Sequence, residues 1–251
     1  MQSIPVGLQL YTVRDAAAKD MAGTLRRVAE IGYKWVEFAG YGNLAYDDVK
    51  RVVGELGLSV SSAHVGIDVM QKSPAKVIDE ARGLGAEYVV IPWVGEEWRG
   101  ADGYKRLADL GNELGATFKA AGLTLCYHNH DFEFQRYGDQ SGFEILWGRA
   151  DGAVFQSELD LYWVKRGGDD PAAWVQRLSG RVPLLHLKDM ADDAKRSFAA
   201  VGTGVIDFAA IFAAAGPAGS RRYIVEQDVC PGDPFASIAE SLANLRAWGV
   251  A

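Results

Sequence analysis

Cysteine is nearly missing from this chain: Cys126 and Cys230 are the only two among 251 residues. Two thiols cannot build the disulfide framework of a small secreted scaffold, and Cys126 lies inside an apolar run where it is expected to pack. A reducing cytoplasm is the simplest setting. Long hydrophobic runs are missing as well. Nothing approaches the ~18 to 20 consecutive apolar residues of a membrane span, and the opening MQSIPVGLQLYTVRD has no basic segment ahead of its short apolar stretch. Neither a membrane partner nor a secretory leader is expected. An excess of positive charge is also lacking. The 26 Lys and Arg stand against 33 Asp and Glu, and a net charge of −7 argues against nucleic acid as the main partner. Finally, no GxGxxG follows the first apolar run, which removes the dinucleotide fingerprint of a doubly wound sheet.

What is present is alternation. Short β-rich runs take turns with segments of helical periodicity, the pattern of parallel strands joined by crossover helices. Eight strands are expected: 6–10, 35–39, 59–64, 88–92, 124–129, 154–160, 182–187 and 223–227. Helices are expected over 21–31, 47–56, 74–84, 103–121, 142–147, 171–178, 208–215 and 235–248, the fifth being short. Ser73-Pro74, Asp170-Pro171 and Asp233-Pro234 each place a side-chain acceptor at the N-cap and a proline at the first helical position. Gly32, Gly57, Gly85 and Gly122 suit left-handed helix ends just before a strand. The helix-Gly-strand phrase recurs in EIGYKWVEF, ELGLSVSSA and GLGAEYVVI. Eight units fill a closed barrel, and about 250 residues is the usual length of one. The expected fold is therefore α/β, a (β/α)8 TIM barrel, with residues 1–251 forming one domain and 49% hydrophobic residues supplying its core.

In such a barrel the C-terminal strand ends converge on one mouth, where active sites are built from loops after different strands. Glu133, Asp160, His186 and Glu226 all fall near late strand ends. Three carboxylates and one imidazole form a mostly hard donor set, suited to Mn²⁺, Mg²⁺ or Co²⁺, with Zn²⁺ as an alternative. Taken singly, each residue has a plainer reading: an exposed loop acid, a helix cap, a satisfied strand histidine and half of an ion pair.

The phrases LQLYTVRD, IGYKWVEFAGYG, YHNHDFEF, ELDLYWV, LLHLKDM, VGTGVIDF and YIVEQD resemble the xylose isomerase-like TIM-barrel family, in its sugar phosphate isomerase/epimerase branch, over nearly the whole chain. The resemblance implies one divalent metal ion, Mn²⁺ first, held by Glu133, Asp160, His186 and Glu226. It also implies α-proton abstraction next to a sugar carbonyl through an enediolate, with Glu133 and Glu226 as the catalytic pair on opposite faces of the substrate. That chemistry gives a sugar or sugar phosphate isomerase or epimerase. A lyase or dehydratase acting on a keto-sugar or keto-inositol is the alternative, because the same site can expel a β-substituent. A non-catalytic sugar-binding barrel comes third. The DNA-repair endonucleases of the superfamily are disfavoured by four histidines in total and a negative net charge.

One departure stands out. Ketose 3-epimerases of the superfamily commonly carry a histidine three residues after the metal-binding aspartate, where this chain has Trp163. His64, His128, Lys188, Gln9 and Trp163 are the expected substrate contacts, while His130 serves equally as a loop brace. VGTGVID exposes glycine amides but lacks the Lys and Ser/Thr of a phosphate loop, so it is read as a rim-shaping loop. Arg14, Arg99 and Arg166 form no sequence cluster. The expected partner is a small sugar or sugar derivative. Homo-oligomerisation stays open, since Trp98, Trp147, Trp163 and Trp174 suit interface anchoring or helix–barrel packing alike.

Overall fold

Eight strands, β1 (Val6–Gln9), β2 (Trp35–Phe38), β3 (Ser59–His64), β4 (Tyr88–Ile91), β5 (Thr124–His128), β6 (Phe155–Asp160), β7 (Leu184–Leu187) and β8 (Arg222–Val225), pair in parallel around a closed barrel. The seam is β8 against β1, with Val6 beside Tyr223 and Leu8 beside Val225. This computed structural model describes residues 4–251. Around the barrel run α1 (Met21–Ile31), α2 (Tyr46–Glu55), α3 (Pro74–Gly83), α4 (Ala101–Ala120), α5 (Gly142–Arg149), α6 (Pro171–Arg177), α7 (Phe208–Ala218) and α8 (Pro234–Ala247). The (β/α)8 barrel expected from the sequence is the fold observed. No helix among the described residues is long and apolar enough to cross a membrane.

Strand periodicity sorts the side chains into two environments. Leu125 and Tyr127 of β5, Phe155 and Leu159 of β6, and Leu185 and Leu187 of β7 point outward into the core shared with the helices. Their neighbours in sequence point inward. Low in the barrel, Tyr88, Val90, Cys126 and Leu184 make a small separate apolar plug. One pleat higher on the same faces come His128, Glu158 and His186, and then Asp160 and Lys188, all buried.

Helix ends follow the side chains at hand. Asp20 accepts the Gly23 amide at the start of α1, and Gly32 closes that helix with φ 115°. Asp170 and Asp233 cap α6 and α8 as expected, whereas Ser73 makes no side-chain cap to α3. Helix α4 buries Tyr104, Leu107, Ala108, Gly111, Leu114, Gly115 and Phe118, a stripe at helical spacing that seats it on β5 and β6. Short helices over Arg14–Ala17, Ile67–Lys72 and Leu161–Arg166 occupy strand-to-helix connections to which the sequence reading assigns no element. Trp147 and Trp174 are buried in the helix–barrel layer, which settles them as packing residues.

After β7 the chain forms a small antiparallel pair, Asp189–Met190 with Phe198–Ala199. The loop that follows wraps a buried carboxylate: Asp189 Oδ2 accepts the Gly202 and Gly204 amides at 2.9 Å each, and Oδ1 accepts those of Met190 and Ile206. VGTGVID is thus an anchored rim loop whose amides already have an anion.

Candidate metal centre

At the mouth, His128, Asp160, His186 and Glu226 each offer a ligand atom, and these atoms lie within 4.8 Å of one another. All four side chains are buried. His186 Nδ1 is 2.8 Å from Glu226 Oε2, and His128 Nε2 is 3.5 Å from Asp160 Oδ2. Asp160 has two duties. Its Oδ1 accepts the Trp163 amide at 2.8 Å as the N-cap of the helix Leu161–Arg166, while its buried Oδ2 faces the Lys188 ammonium at 3.0 Å and His128 Nε2. Asn129 ties the ends of β5 and β6 together by accepting the Asp160 amide at 2.9 Å and donating to its carbonyl at 3.3 Å. Two imidazole nitrogens and two carboxylate oxygens, clustered this closely, are a donor set that fits a divalent cation.

Lys188 enters the same space. Its Nζ lies 3.0 Å from Asp160 Oδ2, 2.8 Å from Glu226 Oε2 and 2.7 Å from Asp228 Oδ1. Burial works against the ammonium, but these carboxylates hold its pKa well above the usual lysine value. Burial likewise pushes Glu226 up, yet Lys188 and the hydrogen bond from His186 hold it down at about 2. Asp160 is raised to about 6 by burial, against the pull of Lys188. Burial and the neighbouring cations keep His128 well below the ordinary histidine value, so it is neutral with a free lone pair. His186 goes the other way: burial opposes its charge, but Glu158 and Glu37 raise it. A cation taking His186 Nδ1 would therefore release a proton.

Of the expected ligands, Asp160, His186 and Glu226 come together and Glu133 lies elsewhere. The turn Phe132–Phe134 folds Glu133 back, so that Oε1 accepts the Tyr127 hydroxyl at 2.6 Å and Oε2 accepts the His130 amide at 2.8 Å. Burial raises its pKa to about 7. Glu133 belongs to neither group of closely spaced metal-ligating side chains among the described residues, and His128 is the fourth member instead. His128 was expected to touch substrate. Its inward direction was readable from TLCYH, where it shares the face of Cys126.

His64, also expected at the substrate, is bound inside the barrel, with Nε2 2.7 Å from Glu158 Oε2 and 3.1 Å from Glu37 Oε1. Gln9 donates to Glu37 Oε1 at 2.6 Å. Trp163 is half-buried against His130 and Phe198, and Lys188 Nζ lies 5.8 Å from its ring centroid. Three residues passed unnoticed in the sequence: Glu37, Glu158 and Asp228. The first two sit at inward strand positions, Glu37 in WVEF and Glu158 in FQSELD two residues before Asp160 on the same face. That period was the available signal.

A family model described as xylose isomerase-like TIM barrel matches residues 25–248. Among curated proteins, an inosose dehydratase of Clostridium beijerinckii is 26% identical over 192 residues, covering 67% of this chain and 63% of that protein. A second inosose dehydratase, from Serratia proteamaculans, is 28% identical over 169 residues, covering 56% and 51%. The chain thus spans less than two thirds of the length of either relative. A crystal structure of a sugar phosphate isomerase/epimerase from Parabacteroides distasonis superposes with a TM-score of 0.84 at 26% identity, covering 98% of this chain and 95% of the other.

Proposed function

The chain belongs to the xylose isomerase-like TIM-barrel family, and from that premise we propose that it is a divalent-metal-dependent lyase that removes the proton beside the carbonyl of a keto-sugar or keto-polyol and expels a β-hydroxyl as water. One observation carries the choice of elimination. A base and an acid, Glu226 and Lys188, are in contact at the mouth, whereas Glu133, the second carboxylate that a two-faced epimerization would use, is turned to Tyr127 and His130.

His128, Asp160, His186 and Glu226 would hold the ion. Bound there, a divalent cation supplies charge stabilisation to an enediolate oxygen, worth roughly several kcal/mol. Two imidazoles in the set favour Mn²⁺, Co²⁺ or Zn²⁺ over Mg²⁺, with Mn²⁺ still the first expectation.

The acid and base assignments rest on contact: Glu226 Oε2 and Lys188 Nζ lie 2.8 Å apart at the mouth, a carboxylate able to accept a proton beside an ammonium able to give one. Glu226 is ionised across the neutral range and is the proton acceptor. Lys188 remains an ammonium and is the donor to the departing hydroxyl. Balanced, the reaction takes one proton from the α-carbon and one hydroxyl from the β-carbon, leaving an unsaturated ketone or its enol and water. The two inosose dehydratases named above perform a reaction of this class by name, which supports the reading.

Isomerization or epimerization is the second reading, favoured by the likeness to the Parabacteroides distasonis structure. NMR of a panel of keto-sugars, keto-inositols and their phosphates in D₂O, with chelated protein and with Mn²⁺ restored, separates them. Metal-dependent loss of water is the expected result. Deuterium uptake with an epimer or isomer as product would replace elimination by the second reading. Bound metal with no exchange in any compound would leave a sugar-binding barrel.

A further inference from the structure

Below the mouth, a second layer of buried side chains meets the same two imidazoles from the other side. His128 turns Nε2 toward Asp160 and Nδ1 toward Glu158 Oε2, at 3.1 Å. His186 turns Nδ1 toward Glu226 and Nε2 toward Glu37 Oε1 at 2.8 Å and Glu158 Oε2 at 3.1 Å. His64 Nε2 adds a third imidazole at 2.7 Å from that same Glu158 oxygen. Each of the rings His128 and His186 is thereby held at both nitrogens, between an upper carboxylate and a lower one.

We propose that Glu158 is a positioning residue that fixes which nitrogen of His128 and of His186 faces the cation. The inference rests on the reading that His128, Asp160, His186 and Glu226 hold an ion. A neutral imidazole has one lone pair and one N–H, and a ring that binds a cation through the first must satisfy the second. For rings buried in the barrel that N–H requires an acceptor. Glu158 Oε2 supplies it for His128 through Nδ1, which leaves Nε2 as the ligand atom. For His186 the acceptor is shared by Glu158 and Glu37, and Nδ1 is left as the ligand atom. Glu37 is itself held by Gln9, at 2.6 Å, and by the Ser62 hydroxyl. His186 therefore keeps an acceptor without Glu158, while His128 has no other carboxylate at Nδ1 among the described residues.

The consequence is asymmetric. Replacing the Glu158 carboxyl group should loosen His128 more than His186, and lower the affinity for the cation without touching any atom that binds it. The same ring of atoms has one competing use: Glu37 Oε1, His64 Nε2, Glu158 Oε2 and His186 Nε2 alternate at 2.7 to 3.1 Å, a spacing that a second cation could fill in place of hydrogen-bonded protons.

The test is long-range ¹H–¹⁵N NMR of protein carrying ¹⁵N-labelled histidine and loaded with diamagnetic Zn²⁺, with elemental analysis and a chelator-competition titration alongside. The four histidines, His64, His128, His130 and His186, give a spectrum small enough to assign by single substitution. Expected in the wild type are one ion per chain, His128 protonated at Nδ1 and His186 protonated at Nε2. Expected in Glu158→Gln are an averaged His128 signal, a retained His186 tautomer and roughly 10- to 100-fold weaker Zn²⁺ binding. A wild-type His128 protonated at Nε2 would overturn the proposal even if the variant failed to fold. Unchanged tautomers and affinity in the variant would do so too. Two ions per wild-type chain, the second lost in Glu158→Gln, would make Glu158 a ligand. Wild-type protein that binds no ion would remove the underlying metal reading as well, an outcome distinct from all the others.

Discussion

The outward and inward faces of the eight strands are made of alternate residues of the same short segments, yet they do different work. Outward side chains such as Leu125, Phe155, Leu159 and Leu187 are fully buried against the helices. Each such side chain gives about 1.5–3 kcal/mol on leaving water. Inward, among the described residues, Tyr88, Val90, Cys126 and Leu184 form a small apolar cluster, and above them sit Glu37, His64, His128, Glu158, Asp160, His186, Lys188 and Glu226. Taking ions out of water costs several kcal/mol each, which mutual attraction recovers only when every partner is well placed. The outer face therefore carries the stability. The inner face holds charges that a fold alone would not need, and they include the four side chains proposed to hold a cation.

Four perturbations bear on that contrast, in decreasing size. Glu226→Gln should lower turnover by about 10²- to 10⁴-fold while leaving the far-ultraviolet circular dichroism intact; an active Gln variant would break the assignment of the inner face to catalysis. Phe118→Ala, on the helical side of the outer core and fully buried, should cost about 3–5 kcal/mol in denaturant unfolding, with turnover per folded molecule unchanged.

The third concerns Glu133, whose pKa is raised from 4.5 to about 7 by burial. Between those values the folded chain holds a proton that the unfolded chain has released. The stabilisation is thus fully present below the unfolded value and is lost as pH rises to about 7. Glu133→Gln removes that dependence, so its unfolding free energy should fall less than that of the wild type from pH 5 to pH 8, by on the order of 3 kcal/mol. Parallel curves would show that Glu133 is ionised in the fold. Smallest is Arg149→Ala: the guanidinium meets Asp109 at 2.6 Å with both side chains about half exposed, and thermal unfolding should shift least of the four, since water screens an exposed pair.

How far the sequence disclosed this arrangement depended on whether a local rule governed the residue. Helix Met21–Ile31 is found at its expected bounds because Asp20 and Gly32 are local stop signals. Strand β8 begins one residue early and ends before Glu226, since nothing in RRYIVEQD marks where pairing with β7 stops. Asp160, His186 and Glu226 were legible as strand-end residues. Glu133 was not placed correctly within the group because its direction is set by a turn, Phe132–Phe134, which neither strand period nor motif spacing describes. Glu37 and Glu158 were hidden by their surroundings: an acid inside a short strand, as in WVEF or FQSELD, reads as a surface position until the barrel closes and turns it inside.

The loop around Asp189 has a further consequence. Its four amides form a receptor whose guest is covalently attached, at an effective concentration that few dissolved anions can match. Inorganic phosphate or sulfate in the buffer should therefore leave this loop unmoved, and a phosphate ester on a substrate must be met by other groups. Because Asp189 directly follows Lys188 in the chain, the carboxylate that keeps the loop closed also fixes the backbone from which the ammonium reaches the mouth.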